Sequence, residues 1–158
     1  MKRVFATELR YGPDEFPDLY MLLESQVGII DHFGSFLITG SKKEADFCQE
    51  VAAAADAFVE IHCLLQHADT KPLELFSDYG FKTEAAAYLF KQGLACFQFA
   101  SGGKTERKMP LLEMEEVLIA SLVVDSENFF FIDFFQKDLV CGIAKAYGVE
   151  AVFLHLDK

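Results

Sequence analysis

Apolar and polar positions change their period several times along this chain, and each change marks an element. Residues 3–8 alternate as a strand, which Tyr11-Gly12-Pro13-Asp14 breaks. From Asp14 the apolar positions Phe16, Leu19, Tyr20, Leu22 and Leu23 recur at helical spacing to about Ser25, with Pro17 tolerated in the first turn. Val27–Ile30 and Ser35–Thr39 flank Asp31-His32-Phe33-Gly34 as a hairpin pattern. Ser41 and Glu44 have capping-box spacing ahead of Phe47, Cys48, Val51, Ala54 and Ala55, so a helix is expected over 41–56 and a strand over 58–65. A crossover of that length joins parallel strands in a right-handed sense.

Residues 67–83 carry no clear period. Thr83 is placed to cap a helix through Glu84, Ala87, Tyr88 and Phe90 that Gly93 ends, and 95–100 then alternates as a strand. Met109-Pro110 opens a run of helix formers to about Leu118. Residues 119–124 and 129–133 form a second hairpin across Asp125-Ser126-Glu127-Asn128, followed by a helix over 136–147 and a strand over 149–156. The run Phe129–Phe135 holds five phenylalanines, so successive side chains on both faces are aromatic, and a strand of that kind is covered on both faces.

The two halves repeat this order. A shift of 93 positions, without a gap, superposes Pro17 on Pro110, Leu19 on Leu112, Phe36 on Phe129, Cys48 on Cys141, Val59 on Val152 and His62 on His155. The expected fold class is α+β with a mainly antiparallel sheet: two ferredoxin-like β-α-β-β-α-β units, 1–65 and 94–158, joined by a linker with a helix over 66–93. With strand–helix pairs such as NFFFID followed by QKDLVCGIAKAYG, the tandem pattern resembles the paired ACT-type regulatory domains that bind amino acids. The resemblance implies that a small amino-acid-like molecule is sensed between the halves, without catalysis. The ligand would lie near the loops after the first strand of each half, at Tyr11 and Asp14 and at Ser101, Gly102, Gly103, Lys104 and Arg107.

Charge and chemistry narrow the reading. The chain of 158 residues is 52% apolar and carries a net charge of −11, a field that repels phosphate backbones and anionic membranes. No nucleic-acid or membrane partner is expected, and a basic protein partner is the alternative to a small-molecule ligand. In the absence of a long apolar run or an N-terminal leader pattern, a cytoplasmic protein is expected. Ser101-Gly102-Gly103-Lys104-Thr105 resembles the end of a phosphate-binding loop, but Gln98 stands where that motif needs glycine. Its glycines and the cations Lys104, Arg107 and Lys108 suit a carboxylate instead. Cys48, Cys63, Cys96 and Cys141 lie in apolar stretches without metal-like spacing and read as buried small hydrophobes. His62 and Cys63 would face opposite sides of a strand, so no metal centre and no cofactor are expected. No nucleophile stands beside a usable base, which favours binding over catalysis. An exposed sheet edge or face would make a homodimer.

Overall fold

The computed structural model describes residues 1–157 and divides into two compact units. The first comprises Met1–His67 and Lys82–Phe90, the second Ala68–Phe81 and the chain from Lys91 onward. The segment expected to be a linker over 66–93 is thus shared between the units.

In the first unit the elements follow as β1 (Lys2–Leu9), α1 (Pro17–Gln26), β2 (Ile29–Phe33), β3 (Phe36–Thr39), α2 (Lys42–Ala54) and β4 (Phe58–His67). Pro17 opens α1, where its missing N–H costs nothing. Ser41 caps α2: its hydroxyl accepts from the Glu44 N–H at 3.3 Å and donates to the Glu44 carboxylate at 2.9 Å. The β2–β3 turn shrinks to Gly34-Ser35, with Gly34 at a φ of 55°, so Asp31–Phe33 belongs to the strand and not to a four-residue loop. β3 and β4 are both antiparallel to β1, which lies between them, so they run parallel to each other as the crossover length requires.

The chain continues through β5 (Lys71–Pro72), α3 (Phe76–Tyr79) and β6 (Gly80–Lys82) to β7 (Ala87–Phe90). Where a helix was expected, β7 is extended and pairs antiparallel with β4. Thr83 does accept from the N–H groups of Ala85 and Ala86, but the turn it closes leads into a strand. Two effects outweigh the helical preference of the alanines: β4 offers unpaired backbone along this edge, and Ala87, Tyr88 and Leu89 are all buried there.

The first sheet has the order β2-β3-β1-β4-β7-β6. It curls. Asp31 on β2 and Tyr88 on β7 stand four strand spacings apart, roughly 19 Å on a flat sheet, yet the Tyr88 hydroxyl donates to Asp31 Oδ2 at 2.7 Å. The Phe36 and Phe90 rings, from β3 and β7, likewise meet with centroids 6.0 Å apart. Bulges at Glu8/Leu9 and Ile29/Asp31 add the local twist that such closure needs. Val4, Ala6, Ile38 and Leu64 are buried on the concave face, while α1 and α2 pack on the other around Leu9, Leu19, Leu23, Leu37 and Cys48.

The second unit continues with β8 (Leu94–Phe99), α4 (Lys104–Glu113), a 3-10 turn at Glu115–Val117, β9 (Leu118–Val124), β10 (Glu127–Asp133), a 3-10 turn at Phe134–Gln136, α5 (Lys137–Ala146) and β11 (Ala151–Leu154). Its sheet has the order β11-β8-β10-β9-β5. Phe97, Phe99, Phe130 and Ile132 face α4 and α5 with Val140 and Ala144. Phe130, Phe131 and Ile132 are all buried, so β10 is covered on both faces as its composition predicts. The aromatic run nevertheless ends with the strand. Phe134 and Phe135 lie in the following turn, 52% and 88% exposed, because the Asp133 carboxylate accepts from the Phe135 N–H and turns the chain.

Helix α4 begins at Lys104, before Pro110, and carries that proline inside it. Glu106 explains the early start, since its carboxylate accepts from the Gly103 N–H at 2.7 Å and satisfies an end group of the helix. The second hairpin closes on Asp125-Ser126, at φ of 50° and 69°, a two-residue turn in the left-handed region.

The strand registers do not follow an ungapped shift of 93. The hairpins close at Phe33↔Phe36 and Val124↔Glu127, a spacing of 91 positions. That spacing places Thr39 on Phe130, and their partners then place Phe5 on Phe97 and Cys63 on Phe153. His62 accordingly matches Val152, and His155 lies beyond the end of β11.

Candidate functional site

The loop residues singled out in the sequence fall in different units, Tyr11 and Asp14 in the first and Ser101–Arg107 in the second. In the first loop the Tyr11 carbonyl accepts from the Tyr20 hydroxyl at 2.8 Å, and the Gly12 N–H donates to Glu15. Tyr20 is held neutral, its hydroxyl pushed up to about 12 by burial and then by the nearby Glu15 charge. Asp14 points to solvent.

In the second loop Ser101 Oγ accepts from the Glu150 N–H at 2.9 Å, and Arg107 Nε donates to the Ser101 carbonyl at 3.1 Å. The Arg107 guanidinium lies over the Phe99 ring. Gly102 has a φ of 84°, and a Cβ there would come within 2.8 Å of Val149, so both conformation and space demand glycine. The Gly103 N–H, which would have met a ligand's carboxylate, meets Glu106. Lys104 and Lys108 are exposed.

An open groove lies elsewhere in the first unit, between α1 and α2 on the side away from the sheet. Phe16, Leu19, Leu22, Val51, Ala54 and Ala55 line it, Asp18 and Glu50 stand on it, and its volume is about 520 Å³, within the roughly 300–1,000 Å³ of binding clefts. Its origin is visible in the chain: the run Ala52–Ala55 ends α2 with side chains too small to fill the space against α1. Leu22 remains 48% exposed beside it, and Met21 is 68% exposed on the same helix. Among the described residues no cation forms an ion pair with Asp18 or Glu50. Sequence periodicity assigned Leu22 and Ala54 to helix faces, but the gap between them depends on how α1 crosses α2.

Among the described residues, one grouping has a metal-like donor set: Glu8, Glu60 and His62, on the concave face of the first sheet. The thiols are free, and their burial differs from expectation. Cys48 and Cys96 are buried, Cys63 is partly exposed and Cys141 is exposed on α5. No described helix is long and apolar enough to cross a membrane. Comparison with protein families, curated proteins and solved structures finds no match to this chain.

Proposed function

We propose that the chain is a protein-binding module that takes an amphipathic helical segment of a basic partner into the groove between α1 and α2. One observation carries this reading: an apolar cleft open to solvent, rimmed by the carboxylates of Asp18 and Glu50, in a chain of net charge −11. An apolar groove accepts the i, i+3 and i+4 anchors of a helix, and the carboxylates select lysine or arginine beside those anchors. The alternative, a small amino-acid-like ligand at the Tyr11 and Ser101 loops, is the weaker reading. The Gly12 and Gly103 N–H groups that would hold its carboxylate already donate within the chain.

Each unit is further read as ferredoxin-like. The chain order β-α-β-β-α-β recurs, and the strand orders β2-β3-β1-β4 and β9-β10-β8-β11 correspond element by element. That correspondence supports duplication better than residue identity does, since the 93-position matches in the strands fall out of register.

Synthetic helical peptides with leucine anchors, flanked by lysines in one set and glutamates in another, test the binding claim. The lysine set binds the full chain, weakens as salt rises, and is lost with Ala54→Trp, which fills the groove. Equal binding of both sets, or none of either, contradicts the proposal.

A further inference from the structure

We propose that Glu8, Glu60 and His62 form a site for a single divalent first-row transition-metal ion at the mouth of the curled sheet. The three come from two paired strands. Glu8 on β1 is the register partner of Glu60 on β4, and His62 stands two residues further along β4 on the same face. Their ligand atoms all lie within 4.8 Å of one another. Cys63, adjacent in the chain, is excluded because strand alternation turns it to the helix side.

Two glutamates directly opposite on one face repel each other, an arrangement that destabilises a sheet unless something offsets it. His62 is the partner at hand, with Nε2 at 2.7 Å from Glu8 Oε2. One imidazolium offsets one negative charge, whereas a divalent ion offsets both. The surroundings hold the imidazole for this task. Phe36 and Phe90 meet its ring edge-on at centroid distances of 5.6 and 5.3 Å, fixing its orientation and thinning the water around it.

One imidazole nitrogen and two carboxylates suit zinc, manganese or iron(II) better than the all-oxygen preference of calcium or magnesium. Ligand atoms around tetrahedral zinc stand roughly 3.3 Å apart, so the Glu8–His62 bond opens by about half an ångström as the ion replaces the proton between them. Half-exposed Glu8 and exposed Glu60 have room for that movement. The fourth position is left to water. This site does not depend on the helix groove, which lies on the opposite side of the sheet.

Zinc alone, titrated into the full chain and followed by imidazole ¹H–¹⁵N NMR, tests the assignment. The expected result is one saturable site per chain, with Nε2 of His62 shifting while His32, His67 and His155 stay in place. Glu60→Gln, on an exposed side chain, is expected to fold and to weaken zinc binding by more than the roughly 10–100-fold that loss of a mere outer partner costs. His62→Ala removes the site. No saturable binding, shifts at the other histidines, or an affinity unchanged in Glu60→Gln overturns the proposal.

Discussion

The Tyr88 hydroxyl donates to Asp31 Oδ2 at 2.7 Å although their strands stand fifth and first in the sheet. Thr83 Oγ1 donates to the same oxygen at 2.6 Å, the His32 N–H donates to Oδ1 at 2.8 Å, and Gln66 Nε2 donates to the Tyr88 oxygen at 3.2 Å. These bonds hold the sheet in its curled form and tie the Thr83 turn to the opposite edge. Tyr88→Phe therefore removes a bond to a charged acceptor, and urea unfolding should show a loss of about 1.5–3 kcal/mol. No loss would mean that the curl is held by apolar packing alone.

The same pair gives stability a pH dependence on both sides. Burial pushes the Asp31 carboxyl upward, but the bonds from Thr83, Tyr88 and the His32 N–H outweigh it, so the group sits below its ordinary 3.8. Its contribution is complete above 3.8 and is lost as the pH falls below that value. Tyr88 is pushed from 10.0 up to about 12, chiefly by burial and then by its bond to Asp31. Its contribution is complete below 10.0 and fades as the pH rises towards about 12. Asp31→Asn should flatten the acid side of a stability–pH profile, and an unchanged profile would contradict the network.

The phenylalanine run splits into core and surface. Phe131 is fully buried, and Phe131→Ala should cost about 3–5 kcal/mol. Phe135 is 88% exposed, and Phe135→Ala should stay within about 0.5 kcal/mol. Thermal denaturation of the two variants checks the split, and similar losses would place Phe135 in the core after all.

Thiol reactivity follows burial. Cys48 and Cys96 are pushed up to about 11 and about 12, both mainly by desolvation, so the thiolate that reacts is scarce and enclosed. A thiol-specific reagent should modify exposed Cys141 first, and Cys48 and Cys96 at the rate of unfolding. Early modification of Cys96 would contradict the packing of the second unit.

Local signals carried much of the fold. Both hairpins, the Ser41 cap and the helix after Gln136 were legible because each rests on residues close in sequence. β7 was not, since Ala85-Ala86-Ala87 favours a helix locally and the edge of β4 that overrides it is distant in the chain. The start of α4 was hidden by Pro110, whose effect Glu106 offsets at the helix end. Tyr11, Asp14, Ser101, Gly102 and Gly103 lie outside helices and strands, whereas Lys104 and Arg107 fall inside α4 and not in a loop, and the partners of these residues could not be read from composition. Glu8 met Glu60 and His62 through a strand register between residues more than fifty positions apart, which no local pattern reveals. The groove was equally hidden: it arises from small side chains on α2 facing α1, a matter of packing and not of motif.

The α1–α2 groove is proposed to bind a basic, amphipathic helix. Backbone amide NMR of the labelled full chain, titrated with a lysine-flanked leucine peptide, tests it most directly. Saturable shifts are expected, concentrated at residues 16–22 and 50–55 and absent in Ala54→Trp. Shifts centred on another surface, or none at saturating peptide, would contradict it.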